Sequence, residues 1–233
     1  MPVLLLARGD QQSRALLRLA IEARYGHSAP PIETVKIDLK GKSRVKLAFA
    51  WTWMPIDATV FVKFPSALRW DFTARPVGLP VTTISETYDG ESLQRSRMLR
   101  SAEVDTDGHV LRSSEARLWT IAVMLLTPLS DPAIQVSTSG VDQLDVENTA
   151  TGSRVTLSLN PDKTLQCVTT TCYNPATERE QRYTLRMTGG QALINDLMLP
   201  RQIDVLWDDE LDMEMTPVSV ETNFPLADDF FKL

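Results

Sequence analysis

Residues 45–53 read Val-Lys-Leu-Ala-Phe-Ala-Trp-Thr-Trp, with a large apolar side chain at every odd position and a small or polar one at every even position. Successive side chains of a β-strand point to opposite faces, so this alternation is typical of a strand with one buried face. We therefore predict a strand over residues 43–53 with one wide apolar wall. That wall consists of Val45, Leu47, Phe49, Trp51 and Trp53.

The same period-two alternation recurs along most of the chain, and turn residues separate its runs. Asp89-Gly90 is a strong two-residue hairpin signal. Counting the run just described, the predicted strands are residues 34–39, 43–53, 58–64, 67–73, 81–88, 93–99, 134–139, 143–148, 155–159, 164–173, 182–187, 202–207 and 211–220.

Two segments have helical rather than strand patterns. Asp10 can cap an amphipathic helix over residues 11–24, which ends at Gly26. Ser114 can cap a second helix that extends to Leu126. This second helix is apolar on nearly every side, so we expect other parts of the protein to cover it nearly all round.

The balance of strands and helices predicts the architecture. Eleven or more strands spaced about 4.8 Å apart make a sheet on the order of 50 Å wide or wider, whereas two helices cover only roughly 20 Å. The sheet must therefore curl, and a widely curved sheet tends to enclose a cavity. We predict one mainly β domain over residues 1–233, a strongly curved antiparallel sheet with two covering helices and an apolar cavity.

Composition and charge exclude several classes of protein. A net charge of −6 argues against binding to a nucleic acid backbone. No apolar run approaches the roughly 20 residues that span a bilayer. Residues 1–7 have neither the basic region nor the length of a signal peptide. Cys167 and Cys172 lie about 16 Å apart in one predicted strand, too far for a disulfide.

The side chains that could carry out chemistry are few and scattered. His27 and His109 both look like loop residues, and no spacing typical of a metal site is present. Asp105-Thr106-Asp107-Gly108 resembles the start of a calcium loop but lacks its distal Glu. Carboxylates on strands, such as Glu86, could meet in a cavity. We predict no catalytic residue, metal or cofactor.

Several motifs, taken in order, resemble one known family. They are the N-terminal amphipathic helix, the hairpin at residues 88–93, the central helix after Ser114, Gly189-Gly190 followed by Leu199-Pro200, and the ending at residues 218–230. Together they resemble the outer-membrane lipoprotein-sorting (LolA/LolB-like) family. The resemblance implies a half-open barrel with helices as a lid, which carries acyl chains or other apolar ligands.

The expected function is non-covalent binding of a lipid or other hydrophobic molecule, as a carrier or chaperone of the bacterial cell envelope. The implied partners are that ligand and a lipoprotein or other envelope protein. The resemblance implies the periplasm or cell envelope, and a missing signal peptide implies the cytoplasm.

We expect the ligand to lie between the aromatic strand and the second helix. The predicted ligand-binding residues are Phe49, Trp51, Trp53, Trp119, Ile121, Val123 and Leu126. Two alternatives remain open at this point. One is a small-molecule biosynthetic enzyme that uses the same cavity as its active site, and the other is a structural envelope protein whose own side chains fill the cavity.

Overall fold

The fold is described from a computed structural model, which covers residues 7–47, 50–75, 82–97, 101–127, 129, 132–227 and 229–233. It contains two helices, α1 (Gln11–Tyr25) and α2 (Gly108–Leu125). The strands are β1 (Thr34–Leu47), β2 (Ala50–Lys63), β3 (Ala67–Ala74), β4 (Thr82–Tyr88), β5 (Leu93–Arg97), β6 (Glu103–Asp105), β7 (Ile134–Gly140), β8 (Gln143–Asn148), β9 (Ser153–Leu159), β10 (Leu165–Asn174), β11 (Arg179–Ile194), β12 (Leu197–Trp207) and β13 (Glu210–Thr222).

All thirteen strands belong to one sheet, in the order β6-β5-β4-β3-β2-β1-β13-β12-β11-β10-β9-β8-β7. Every pairing between neighbouring strands is antiparallel, and β1 joins the two halves by pairing with β13. The sheet is open, with β6 and β7 at its edges, and Arg8 forms a parallel bridge to Gln135 of β7. The predicted fold class, a mainly β protein with a strongly curved antiparallel sheet and two helices, is confirmed.

The strand register divides the side chains between two faces of the sheet. Directly paired residues share a face, and one such row runs from Glu86 through Trp70, Val60 and Ile37 to Val220. We call this the inner face, because α2 lies against it and Arg117 of α2 bonds to Glu86. A second row of the same face continues into the other half of the sheet. It consists of Met213, Val205, Leu185, Val168, Leu157 and Leu144.

The opposite, outer face is covered in part by the end of the chain. The ring of Phe61 on β2 contacts the ring of Phe230, with 4.8 Å between the centroids. Arg69 of β3 lies over the same Phe230 ring and donates a hydrogen bond to its carbonyl oxygen at 3.1 Å. The backbone nitrogen of Leu233 donates to Gln94 of β5. The C-terminal segment is therefore part of the folded structure.

The first helix begins as predicted and ends one residue later, at Tyr25, and the second begins earlier than predicted. The carboxylate of Asp10 accepts a hydrogen bond from the backbone of Ser13, and Gly26 ends α1. Helix α2 begins at Gly108 because Asp107, not Ser114, is its cap. His109 therefore lies in the first turn of a helix and not in a loop. Asp-Gly serves equally well as a turn or as a helix start, so the pattern was ambiguous.

The prediction that residues 45–53 form one strand was wrong. The chain turns back between Leu47 and Ala50, which pair with each other across the β1–β2 hairpin. Val45 pairs with Thr52, and Trp51 pairs with Lys46. Each odd-numbered residue of β1 is therefore paired with an even-numbered residue of β2. Directly paired residues share a face, so odd-numbered residues before the turn lie on the opposite face from odd-numbered residues after it. Phe49 is outside the described residues.

The predicted break between residues 53 and 58 was also wrong, and the predicted strand at residues 58–64 is largely part of β2. Pro55 lies within this 14-residue strand, opposite Lys42 of β1. Proline is compatible with a strand where its missing N–H is not needed by the ladder. Its carbonyl oxygen still accepts a hydrogen bond from Arg75.

Candidate functional site

Helix α2 fills the space in front of the inner face. Residues 118–126, nine in succession, are all buried. A helix on the surface of a sheet buries one stripe, so burial over two and a half turns means that this segment is surrounded on every side. It packs against β9–β11 of one half of the sheet and β3–β5 of the other. The helix therefore occupies the place where the predicted cavity would lie.

Polar contacts hold both ends of this buried helix. Near its N-terminal end, Ser113 donates a hydrogen bond to the carbonyl oxygen of Tyr173 at 2.6 Å. At its C-terminal end, Arg24 donates to the carbonyl oxygen of Met124, and Tyr25 donates to that of Leu125 at 2.7 Å. The last carbonyls of a helix have no partner within it and carry partial negative charge, so α1 caps α2.

A charged cluster joins α2 to the inner face on the β4–β5 side. One carboxylate oxygen of Glu86 accepts from Arg117 at 2.6 Å, and the other accepts from Arg95 at 2.7 Å. Burial would raise the pKa of Glu86, but the two guanidinium groups hold it at about 2. Burial likewise opposes the charge on Arg117, yet Glu86 keeps its pKa above the ordinary value. Glu86 and Arg117 are therefore both charged at neutral pH.

Further polar groups of the inner face lie around this cluster. The indole nitrogen of Trp70, the residue opposite Glu86 in the strand register, is buried and has no hydrogen-bond partner among the described residues. The Nε of Arg117 is likewise buried and has no partner in this part of the chain. Burial raises the pKa of Tyr183 on β11, although Arg117 nearby acts in the opposite direction. Outside this cluster, on β13, burial raises the pKa of Asp212 to about 6, and Arg44 acts in the opposite direction.

The structure brings together four of the seven predicted ligand-binding residues. Trp119, Ile121 and Val123 lie in the buried part of α2, and Leu126 is the C-cap of this helix; all four are between 0% and 5% exposed. The indole of Trp119 also bonds to the carbonyl oxygen of Val146 at 3.4 Å.

The aromatic residues of the β1–β2 hairpin are not near this helix. Trp51 and Trp53 are 55% and 40% exposed and lie on the outer face. There Arg44 lies 4.7 Å from the centroid of the Trp51 ring, and Lys42 lies 4.9 Å from that of Trp53. The seven predicted residues therefore do not surround one space. Phe49, the remaining one, lies outside the part of the chain that the structure describes.

Two of the depressions lined by described residues border α2 and the neighbouring strands. The larger is a cleft of about 610 Å³ along β7–β10, with polar walls that include Arg112, Glu115 and Arg154. The smaller is a crevice of about 20 Å³ beside Trp119, between the turn at Phe64 and the turn at Thr151. The crevice marks a line where α2 passes between the two halves of the sheet, and it is too small for a ligand.

The charged cluster is the part of this site that the sequence did not assign. The sequence marks Glu86 only as one strand carboxylate that could meet others in a cavity. It contains a usable signal, because Glu86 lies two residues from both Ile84 and Tyr88 and so shares their inner face. Its partners Arg95 and Arg117 come from a different strand and a helix, and their meeting depends on the tertiary fold.

Within the described residues, no group of three His, Cys, Asp or Glu side chains is arranged to hold a metal ion. Of the described helices, none combines the length and the apolar character that crossing a membrane requires. Cys167 and Cys172 are both free thiols on β10.

Solved structures share this arrangement of sheet and helices. A LolA superfamily protein from Nitrosomonas europaea is 13% identical and superimposes with a TM-score of 0.54, over 95% of this chain and 97% of that one. A DUF1329 family protein from Desulfovibrio piger is 12% identical with a TM-score of 0.52, over 94% and 97% of the two chains. The resemblance to the lipoprotein-sorting family is therefore confirmed at the level of the fold.

Sequence comparison supplies the family. No curated protein matches this sequence. Residues 22–216, most of the chain, match the model of a family of unknown function, DUF6544. The matched range extends from the second half of α1 into β13 and so includes α2, the inner face and the charged cluster. The protein belongs to the DUF6544 family, and its fold is LolA-like.

Proposed function

We propose that this protein binds a lipid or another hydrophobic molecule without covalent chemistry, as a carrier or chaperone of the bacterial cell envelope, with residues 1–233 acting as one LolA-like domain. The observation that supports this most is the burial of residues 118–126 in front of an apolar inner face. Displacement of this segment exposes a concave apolar surface, and the ligand takes its place.

A long acyl chain can match residues 118–126 both in volume and in the free energy gained from burial. Nine helical residues, about 13.5 Å long and about 10 Å wide, occupy roughly 1,000 Å³. That is at the upper end of the volume of ordinary ligand pockets. The large apolar side chains of this segment gain on the order of 10 to 20 kcal/mol from burial, and an acyl chain of about 16 methylenes gains about 13 kcal/mol. A long acyl chain can therefore replace the contacts of the helix.

The named structural neighbour adds a partner class to this proposal. One solved protein of this fold is described as a member of the LolA superfamily. A lipoprotein or other envelope protein, through its acyl chains, is accordingly a partner that the proposed site would accept. The acyl chains of such a partner would contact four apolar residues of α2 and its C-cap: Trp119, Ile121, Val123 and Leu126.

Tryptophan fluorescence tests the proposal because the five tryptophans divide between the two faces. We expect palmitate or a phospholipid to change the fluorescence saturably, since Trp119, Trp70 and Trp207 lie on the inner side. The Trp119→Phe variant should lose much of the response. The matched control, Trp51→Phe with Trp53→Phe, should keep it.

Extraction of the purified protein with organic solvent, followed by mass spectrometry, gives an independent measurement. A carrier is expected to retain a lipid through purification at near-stoichiometric amounts. Absence of any saturable response to acyl compounds, together with an empty extract, would refute the proposed function.

A further inference from the structure

The charged cluster on the inner face has more hydrogen-bond donors than acceptors. Two arginines, Arg95 and Arg117, share the single carboxylate of Glu86, which leaves one excess positive charge. Each guanidinium group carries five N–H donors. Within the described residues, each of the two uses one of them on Glu86.

Two buried N–H donors at the cluster have no acceptor within the described residues. One is the Nε of Arg117, and the other is the indole nitrogen of Trp70, the residue opposite Glu86 on β3. Leaving a buried donor unsatisfied costs free energy, and groups in that state call for an explanation. An oxyanion bound to Arg117 would offer an acceptor to the Nε of this side chain.

The surroundings of the cluster are apolar on the sheet side. The Trp70 ring stacks on that of Phe72, with 5.4 Å between the centroids and 2° between the planes. Across the strands, Val60 and Ala58 continue this wall. The side chains of Glu86, Arg95 and Arg117 keep exposures of 17%, 27% and 18%. The cluster is thus a charged point at the border of an apolar surface, and solvent reaches it.

We propose that Arg117 and Arg95 bind the oxyanion head group of an acyl ligand, a carboxylate or phosphate, and that Glu86 occupies this position in the ligand-free protein. This inference rests on the proposed function and adds the chemical class of its ligand, an anionic amphiphile. Arginine suits this role because its planar guanidinium group matches carboxylate and phosphate oxygens in two-point hydrogen bonding.

Because Arg117 is part of α2, the head group also acts on the helix. The ion pair between Arg117 and Glu86 is a bond between the helix and β4. A ligand oxyanion that takes over Arg117 replaces that bond, while its acyl chain replaces the apolar contacts of residues 118–126. One ligand therefore releases both the polar and the apolar attachment of the helix on this side.

The test compares four probes: dodecanoate, dodecyl phosphate, dodecanol and inorganic phosphate. The chain is the same in the first three, so differences between them report on the head group. We expect dodecanoate and dodecyl phosphate to bind wild-type protein at least about ten times more tightly than dodecanol, because only the anions form charge-assisted hydrogen bonds with the arginines. In Arg117→Gln this preference should fall to about one. Arg112→Gln, an exposed arginine of the same helix, is the matched control and should keep it.

Glu86→Gln gives a result of opposite sign. If Glu86 competes with the ligand, its removal should tighten anion binding several-fold while leaving dodecanol unchanged. A purely structural ion pair predicts that Glu86→Gln and Arg117→Gln lower the melting temperature alike, with no effect on the preference for anions. That outcome, or equal binding of dodecanol and dodecanoate to wild type, would overturn the inference and leave the carrier function standing.

The remaining outcomes separate the two proposals. If no acyl probe binds but inorganic phosphate binds and is lost in Arg117→Gln, the oxyanion site exists without a carrier function. If none of the four probes binds, both proposals are refuted.

Discussion

Glu86 remains ionised on an otherwise apolar face because two cations lie against it. Burial acts to protonate the carboxyl, and the arginines overcome this effect, so the folded pKa of about 2 is below the ordinary value of 4.5. A carboxyl whose pKa is lowered by folding stabilises the protein above its unfolded pKa. That contribution is lost as the pH falls from about 4.5 to about 2.

We expect Glu86→Gln to lower the free energy of unfolding at pH 7 by on the order of 2 to 3 kcal/mol. The difference from wild type should shrink progressively below pH 4.5. Urea denaturation between pH 2.5 and 7 measures this. Glu103→Gln, at an exposed position on β6, should change stability little at any pH. A difference for Glu86→Gln that stays constant with pH would contradict the assigned pKa.

Asp212 shows the opposite behaviour. Burial raises its folded pKa to about 6, with Arg44 acting weakly against this. Between about pH 4 and 6 the folded state holds a proton that the unfolded state releases, so stability falls as the pH rises through this window.

Asp212→Asn should therefore stabilise the protein at pH 8 by about 1 to 2 kcal/mol, and have little effect at pH 4. The expected gain is less than the full pKa shift would give, because the side chain is partly exposed to solvent. Melting curves at the two pH values are the measurement, with the exposed Asp229→Asn as control. Stabilisation of equal size at both pH values would mean that the effect is not electrostatic.

At the scale of the elements, the last carbonyl oxygens of α2 depend on side chains of α1 for their hydrogen bonds. Tyr25 and Arg24 of α1 satisfy the carbonyl oxygens of Leu125 and Met124, and Arg24 does so while only 4% exposed. Burial lowers the pKa of Arg24. These contacts make α1 a clamp on the C-terminal end of α2, which must open if α2 is displaced.

Tyr25→Phe removes one clamp contact and no carbon atom. We expect it to lower stability by about 1 kcal/mol, the usual value of one hydrogen bond. Amide exchange of residues 118–126 should become faster, and acyl ligands should bind more rapidly. Tyr173→Phe is a matched control, since the hydroxyl of Tyr173 has no hydrogen bond in the described structure. Unchanged exchange in the Tyr25→Phe variant would show that α1 does not restrain the helix.

The whole molecule is held together across the sheet by its C-terminal segment. Phe231 is 6% exposed, and Phe230 and Phe224 both contact Phe61 on the outer face. The backbone of Leu233 reaches β5. The segment thus connects β2, β3 and β5 from the outside, and α2 connects the two halves of the sheet from the inside.

Phe231→Ala should accordingly cost about 3 to 5 kcal/mol, as truncation of a buried Phe does. Leu233→Ala, at a side chain that is 39% exposed, should cost less than about 0.5 kcal/mol. Chemical denaturation of both variants provides the comparison. Equal and small effects would show that the C-terminal segment contributes little to the fold.

The local pattern of the sequence was sufficient for the fold class, for the extent of α1 and for the burial of α2. Period-two alternation reports which residues share a face within one strand, and a helix apolar on every side has to be enclosed. Both patterns involve residues that are close together along the chain, so they can be read from the sequence alone. The start of α2 was misplaced because Asp107-Gly108 suits a turn and a helix cap alike.

The face on which each strand residue lies, and the partners of each charge, depended on the folded chain. Trp51 and Trp53 lie outside because the chain turns between Leu47 and Ala50, where no Gly, Pro, Asn or Asp marks a turn. Glu86, Arg95 and Arg117 meet because α2, which carries Arg117, crosses β4 and β5, which carry Glu86 and Arg95. The period-two alternation continues unchanged through the turn, so it does not show that Trp51 and Trp53 change face. Contacts between distant segments leave no local pattern in the sequence, so the Glu86 cluster forms only when the sheet has curved around α2.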